Sequence, residues 1–395
     1  MNIRTVFFQT LASIVFVSGF ASGLNLQFGG ELTVSNNDLW WDRQCRYNVF
    51  SPEQSVAERN ALTKESHRNF FGSPIFRCAV ERIQNHWRSR LDSSQFILSA
   101  TETHRDVRFR AQRNTFHVDL GVDQGVLEYS IGPNELDHFE QYATDYQDLI
   151  FESADTQGLY PMLFLGGGHI SIGYTSFRND RELMKRFLLD FIGHYELSMG
   201  ILDYNVRSSL SHWLLPDDCR SAVFDRLNHL NTDPDYPEAQ FISDLKFVLQ
   251  PNCVDRFLDT SEYASRGKYM SITFRDDAPD TENWRFEIRG VRPQKGFQVF
   301  LNQIRLLQAR INYLRHYIPP ELTSKWPREM AFQPGDQLYL NPPITREVAI
   351  SRFKDYIKPT GLRWQDQIEY VWPRWDCSQI LSADALQAHS NRHKY

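Results

Sequence analysis

Thr281–Gly296, TENWRFEIRGVRPQKG, is the stretch whose reading decides the fold. Arg285, Glu287 and Arg289 stand at alternate positions, and the period of two in an extended strand puts all three on one face. Trp284, Phe286 and Ile288 take the other face, which suits a core. Two guanidiniums flanking one carboxylate are an odd device for stabilising an open sheet face. They suit a phosphate and a divalent metal. A surface strand with an alternating ladder of ion pairs fits the same letters, so the remainder of the chain has to choose.

Upstream, Gly267–Phe274 (GKYMSITF) alternates Tyr269, Ser271 and Thr273 against Met270, Ile272 and Phe274. It leads through the acidic turn DDAPDTEN into WRFEIRG, which reads as a hairpin with Lys268 at its start. Downstream, Arg292 and Lys295 add cations. The whole chain carries a formal charge of -6, so cations gathered here point to a bound anion. Phe297–Tyr317 then has the spacing of a long amphipathic helix.

Further from this hairpin the chain repeats the pattern of strand, carboxylate and helix. Leu24–Val34 (LNLQFGGELTV) reads as a strand in which Glu31 stands alone among apolar and small residues, with Thr33 on its face. Glu31 on the solvent side of an edge strand is the plainer alternative. Residues 105–120 alternate loosely and read as one strand. The GVDQG turn and Val126–Ile131 (VLEYSI) complete a hairpin that presents Glu128 opposite to Leu127 and Tyr129. Glu135–Glu152 reads as a helix. Tyr160–Tyr174 (YPMLFLGGGHISIGY) sets His169, Ser171 and Gly173 on one face after three glycines. No Gly-Lys-Ser/Thr closes that run, so it is not a Walker loop. His169 could bind a metal or donate to a phosphate or acyl oxygen, or simply hold a turn. Helices are expected over Cys78–Arg88, Asn179–Met199 and Glu347–Tyr356. Residues 36–77 read as a long connection or lid, and 200–260 as mostly irregular and polar.

Composition sets limits on this picture. The 395 residues are 41% hydrophobic and 14% aromatic, enough for a sizeable core. No block of Lys and Arg resembles a nucleic-acid footprint. Five scattered cysteines show no metal-ligand spacing. Met1–Gly23 holds an apolar run, with one early Arg and a small-x-small site at Gly19 and Ala21, which matches a cleaved secretory signal. No other segment reads as a membrane span. The chain divides into this leader, a catalytic region over 24–317 with insertions at 36–77 and 200–260, and a supporting extension over 318–395.

Hairpins followed by helices make an α+β class, with an antiparallel sheet whose opposite face the helices cover. Glu31, Glu128 and Glu287 lie on three separate strands. If they share one face, they repel unless cations fill the gap. Mg²⁺ is the usual answer, with Arg285 and Arg289 neutralising a transferring phosphoryl group. The assembly reads as ATP-dependent activation of a carboxylate, followed by attack of an amine on the acyl phosphate. A metal-dependent hydrolase using the same carboxylates, and a binding protein with charged surface ladders, are the rival readings.

At this point the sequence resembles the amidoligase family, relatives of glutamate-cysteine ligase and glutamine synthetase. The resemblance rests on FGGELT at 28–33, DQGVLEYSIGP at 123–133, GGGHISIG at 166–173, and KYMSITF followed by WRFEIRG within 268–290, in that order. It implies a curved, mostly antiparallel sheet of the glutamine-synthetase-like type, with metals and ATP in its concave face. It implies Glu31, Glu128 and Glu287 on the metal side and His169 near the metal or acyl phosphate. It sets Arg289 at the phosphates, where Arg285 and Lys268 would join it. Catalysis would fall to Glu128, His169 and Arg289. The substrates implied are a small-molecule or peptide carboxylate and an amine. Thr33 and Ser171 stand where the family carries a second acid and often a second histidine, which implies fewer metals, a shifted site or an inactive relative. ATP is scarce outside cells, so either the N-terminus is not cleaved and the chain is cytoplasmic, or a secreted form acts where ATP exists.

Overall fold

The structure is a computed structural model that describes residues 25–35, 74–91, 97–102, 107–123, 126–161, 168–193, 217–249, 271–276, 281–291, 294, 296–317 and 346–363. The leader, Lys268, Arg292, Lys295, residues 36–73, 200–216 and 250–260 lie outside these residues. No described helix is long and apolar enough to cross a membrane.

Eight strands form one sheet: β1 (Phe28–Val34), β2 (Ile97–Glu102), β3 (Val107–Arg113), β4 (Phe116–Asp123), β5 (Val126–Asn134), β6 (Gly168–Gly173), β7 (Ile272–Arg275) and β8 (Arg285–Val291). Their order is β2-β3-β4-β5-β1-β6-β8-β7, and every pairing is antiparallel. The fold is therefore α+β with a multistranded antiparallel sheet. β1 sits between β5 and β6, so Glu31 is on a central strand and not on an edge.

Alternation separates the two faces. Leu32, Tyr129, Ile170, Phe286 and Ile288 are buried on one side. Helices cover that side: the broken helical run over residues 136–155 (α1), Arg181–Gly193 (α2) and Phe297–His316 (α3). Phe300 of α3 lies so close to β1 that a Cβ at Gly30 would come within 2.6 Å of its ring. Only glycine lets the helix approach there. Phe300 also packs edge-on to Phe139 of α1, with ring centroids 5.4 Å apart. Asp190 of α2 accepts two hydrogen bonds from Arg310 of α3, at 2.8 and 2.7 Å, and a third from Tyr356 at 2.5 Å. That buried tie also joins the helix Arg346–Ile357 (α4) to the layer.

Two expectations need correcting, and one strand is new. Residues 105–120 are not one strand: Asn114, at φ 54°, turns the chain between β3 and β4. Asparagine accepts this left-handed conformation, so the turn needs no glycine to announce it. β2, which pairs with β3, was not anticipated at all. Within 200–260, two helices form, Asp217–Asn228 (α5) and Glu238–Leu249 (α6). The acids Asp217, Asp218 and Glu238 that suggested irregular chain open these helices, since carboxylates favour a first helical turn. Phe241, Ile242, Leu245, Val248 and Leu249 then bury one stripe of α6.

Candidate metal centre

The other face of the sheet is polar, and its register brings separated residues together. One cross-strand row runs Ser99, Arg110, Asp119, Ser130, Glu31 and His169, each opposite the next. The adjoining row runs Gly29, Ser171, Glu287 and Thr273. Opposed residues in an antiparallel pair share a face and lie about 4.5–5.5 Å apart at Cβ.

Between β6 and β8 the register slips, so that Gly168 faces Val291 while Ile170 faces Ile288. β8 thus places one extra residue against His169, as a bulge does. The slip allows Ile288 and Val291, three positions apart, both to be buried in the core. It leaves Arg289 on the polar side, where its Nη1 donates to Glu287 Oε1.

Glu31, His169 and Glu287 meet at this point. One ligand atom from each lies within 4.8 Å of the others, and among the described residues this is the one such group. His169 Nδ1 is hydrogen-bonded to Glu31 Oε2 and stands 3.7 Å from Glu287 Oε1. Arg285 approaches Glu287 Oε2 at 3.6 Å from the far side. The Glu287 side chain is only 3% exposed, so two guanidiniums and an imidazole enclose its charge almost completely. Burial pushes the Glu31 carboxyl up, but the charge and hydrogen bond of His169, with Arg285 and Arg289 behind, hold it at about 2. It is a carboxylate at any physiological pH.

Two carboxylate oxygens and one imidazole nitrogen are a donor set for a divalent cation, with remaining positions left to water or substrate. The nitrogen widens the choice beyond Mg²⁺ to Mn²⁺ or Zn²⁺. A cation entering here would replace the hydrogen bond between Glu31 and His169. The two carboxylates balance the two guanidiniums in formal charge, so a loaded centre would be positive.

Of the residues expected from the sequence, Glu31, His169, Glu287, Arg285 and Arg289 come together. Glu128 does not join the group. It lies on the same face, half-buried, paired with Thr33 on β1 and Gly121 on β4. Ser171 lies beside Glu287, opposite it in register. Lys268 is outside the described residues. Sequence reasoning missed the Arg110–Asp119 pair, a fork with contacts of 2.6 and 2.7 Å that extends the polar row beyond Ser130. The signal was the alternation of β3 and β4, hidden when the two strands were read as one. No family model matches the chain, and no curated protein matches it.

Proposed function

We propose that this chain is a divalent-metal-dependent ligase that joins a carboxylate to an amine, using ATP to make an acyl phosphate. The observation that supports this most is the convergence of Glu31, His169 and Glu287 with Arg285 and Arg289 on one sheet face. In the reaction, a substrate carboxylate oxygen attacks the γ-phosphorus of ATP and ADP leaves. The amine nitrogen then attacks the acyl carbon, phosphate leaves and the nitrogen loses a proton. When bound, the metal supplies Lewis-acid stabilisation of phosphoryl oxygens. Glu31, His169 and Glu287 hold it. Arg285 and Arg289 meet the charge that develops as the phosphoryl group passes between oxygens. Glu128, further along the same face, is the base that takes the amine proton. The glutamine-synthetase-like character of the sheet belongs to this reading too.

A second reading has its own support. A ligand set that includes an imidazole also suits a metal that activates water, as in a hydrolase. Hydroxylamine separates the two. The full chain is incubated with Mn²⁺, ATP, hydroxylamine and a panel of glutamate and glutamyl peptides. The ligase reading expects hydroxamate and ADP in equal amounts, both absent without ATP. Turnover of the panel without ATP would favour the hydrolase, and no ATP use by the metal-loaded chain would end the ligase proposal.

A further inference from the structure

Ser271 precedes β7, and its carbonyl oxygen accepts the backbone N–H of Arg289 at 2.9 Å. The two residues therefore oppose each other, and the register puts Ser271 on the polar face with Thr273 and Glu287. Ser271 is 1% exposed, yet its hydroxyl has no hydrogen-bond partner. The Nε of Arg289, also buried, has none either. Buried donors without partners are rare and costly, and here two of them face each other across one strand pair. The charge of Arg289 is directed at Glu287 by Nη1 alone. Its Nε is still available, and a hydroxyl stands across from it.

We infer that Ser271 and Arg289 form a seat for one oxygen of a phosphoryl group beside the Glu31–His169–Glu287 centre. The inference rests on the metal reading for its setting, but the two donors belong to the chain itself. A phosphoryl group fits better than a carboxylate for a reason of charge. Glu31 and Glu287 offset Arg285 and Arg289, so a divalent cation leaves two positive charges, which a phosphoryl dianion cancels and a single carboxylate does not. The tetrahedral group also has enough oxygens to meet the cation, the arginine and the hydroxyl at once. Ser271 is thereby a binding residue for the transferring group, and Arg289 the charged half of the same seat.

The test uses the full chain, with Mn²⁺ binding followed by electron paramagnetic resonance. Binding of inorganic phosphate, acetate, AMP and a non-hydrolysable ATP analogue is followed by calorimetry. Ser271→Ala should weaken phosphate and the ATP analogue by about tenfold or more, the loss of one hydrogen bond to a charged group. AMP, which lacks the terminal groups, and Mn²⁺ should bind as before. An effect on phosphate alone would mean that the seat serves free phosphate, and an effect on the analogue alone that it serves the nucleotide. Ser271→Thr, which keeps the hydroxyl, should retain affinity. Unchanged affinity for both ligands in Ser271→Ala, or equal weakening of acetate and phosphate, overturns the seat. If Mn²⁺ fails to bind the unaltered chain, the metal reading falls separately. Phosphate alone then tests the seat: Ser271-dependent binding upholds it, and no binding or Ser271-independent binding overturns it.

Discussion

Changing Glu287 to Gln separates a metal centre from a ladder of ion pairs. Glutamine keeps the size of the side chain and an oxygen for Arg289 Nη1, but it removes one charge from a position that is 3% exposed. Unit charges about 4 Å apart interact by about 4 kcal/mol at an effective dielectric constant of about 20, and a dication doubles that. Loss of even about 2 kcal/mol of this attraction weakens metal binding about 30-fold. For a centre with a dissociation constant of about 10 μM, about 1 mM Mn²⁺ stabilises the folded chain by about 2.7 kcal/mol. The same concentration would stabilise the Glu287→Gln chain by only about 0.9 kcal/mol. In a melting curve of a chain this long, that is a rise of about 3 °C falling to about 1 °C. Scanning calorimetry with and without Mg²⁺, Mn²⁺ and Zn²⁺ reads both numbers. A ladder of ion pairs predicts no metal-dependent rise in either protein. A wild-type melting point indifferent to all three ions, or an equal rise in the variant, would refute the metal centre.

Two further outcomes follow from groups away from the site. Asp190→Ala leaves Arg310, which is 4% exposed, without its carboxylate, and should cost about 3–5 kcal/mol in urea unfolding; Tyr356→Phe should cost less, about 1.5–3 kcal/mol. Burial holds His117 and His138 below the ordinary value of 6.5, with Asp119 opposing and Arg110 assisting at His117, and with His117 assisting at His138. The unfolded chain therefore takes up these protons first. Their contribution is intact above pH 6.5 and is lost as pH falls below it, and it is small because both rings are partly exposed and screened by solvent. The double variant His117→Gln, His138→Gln should flatten the urea midpoint between about pH 7 and 5; an unchanged slope would count against this.

How much of this was legible depends on which physical signal carried it. The faces of β8 were readable because a period of two sorts Arg285, Glu287 and Arg289 from Phe286 and Ile288 without knowledge of any neighbour. That Glu31 would meet His169, 138 residues away, was expected only through the family resemblance and not from the pattern of either strand. Cross-strand contact depends on strand order and register, and the slip between β6 and β8 has no sequence mark beyond Gly290. The β3–β4 turn escaped because Asn114 makes it without glycine or proline. Ser271 was placed on the correct alternation, but its significance lies in a partner it lacks, and no sequence shows that.

The buried charges of this protein fall into two kinds. Around Asp190, Arg310 donates through Nε and Nη2 and Tyr356 adds its hydroxyl, so the carboxylate is saturated within a helical layer. Around Glu287, two guanidiniums and an imidazole crowd one carboxylate on central strands, while Arg289 Nε and Ser271 Oγ go unmatched in the same neighbourhood. Burying ions for stability alone favours the closed arrangement, because each unmatched group adds cost without return. The same chain builds a closed cluster where it needs a tie. The open cluster on the polar face is therefore better explained by a ligand that completes it than by a structural role performed badly.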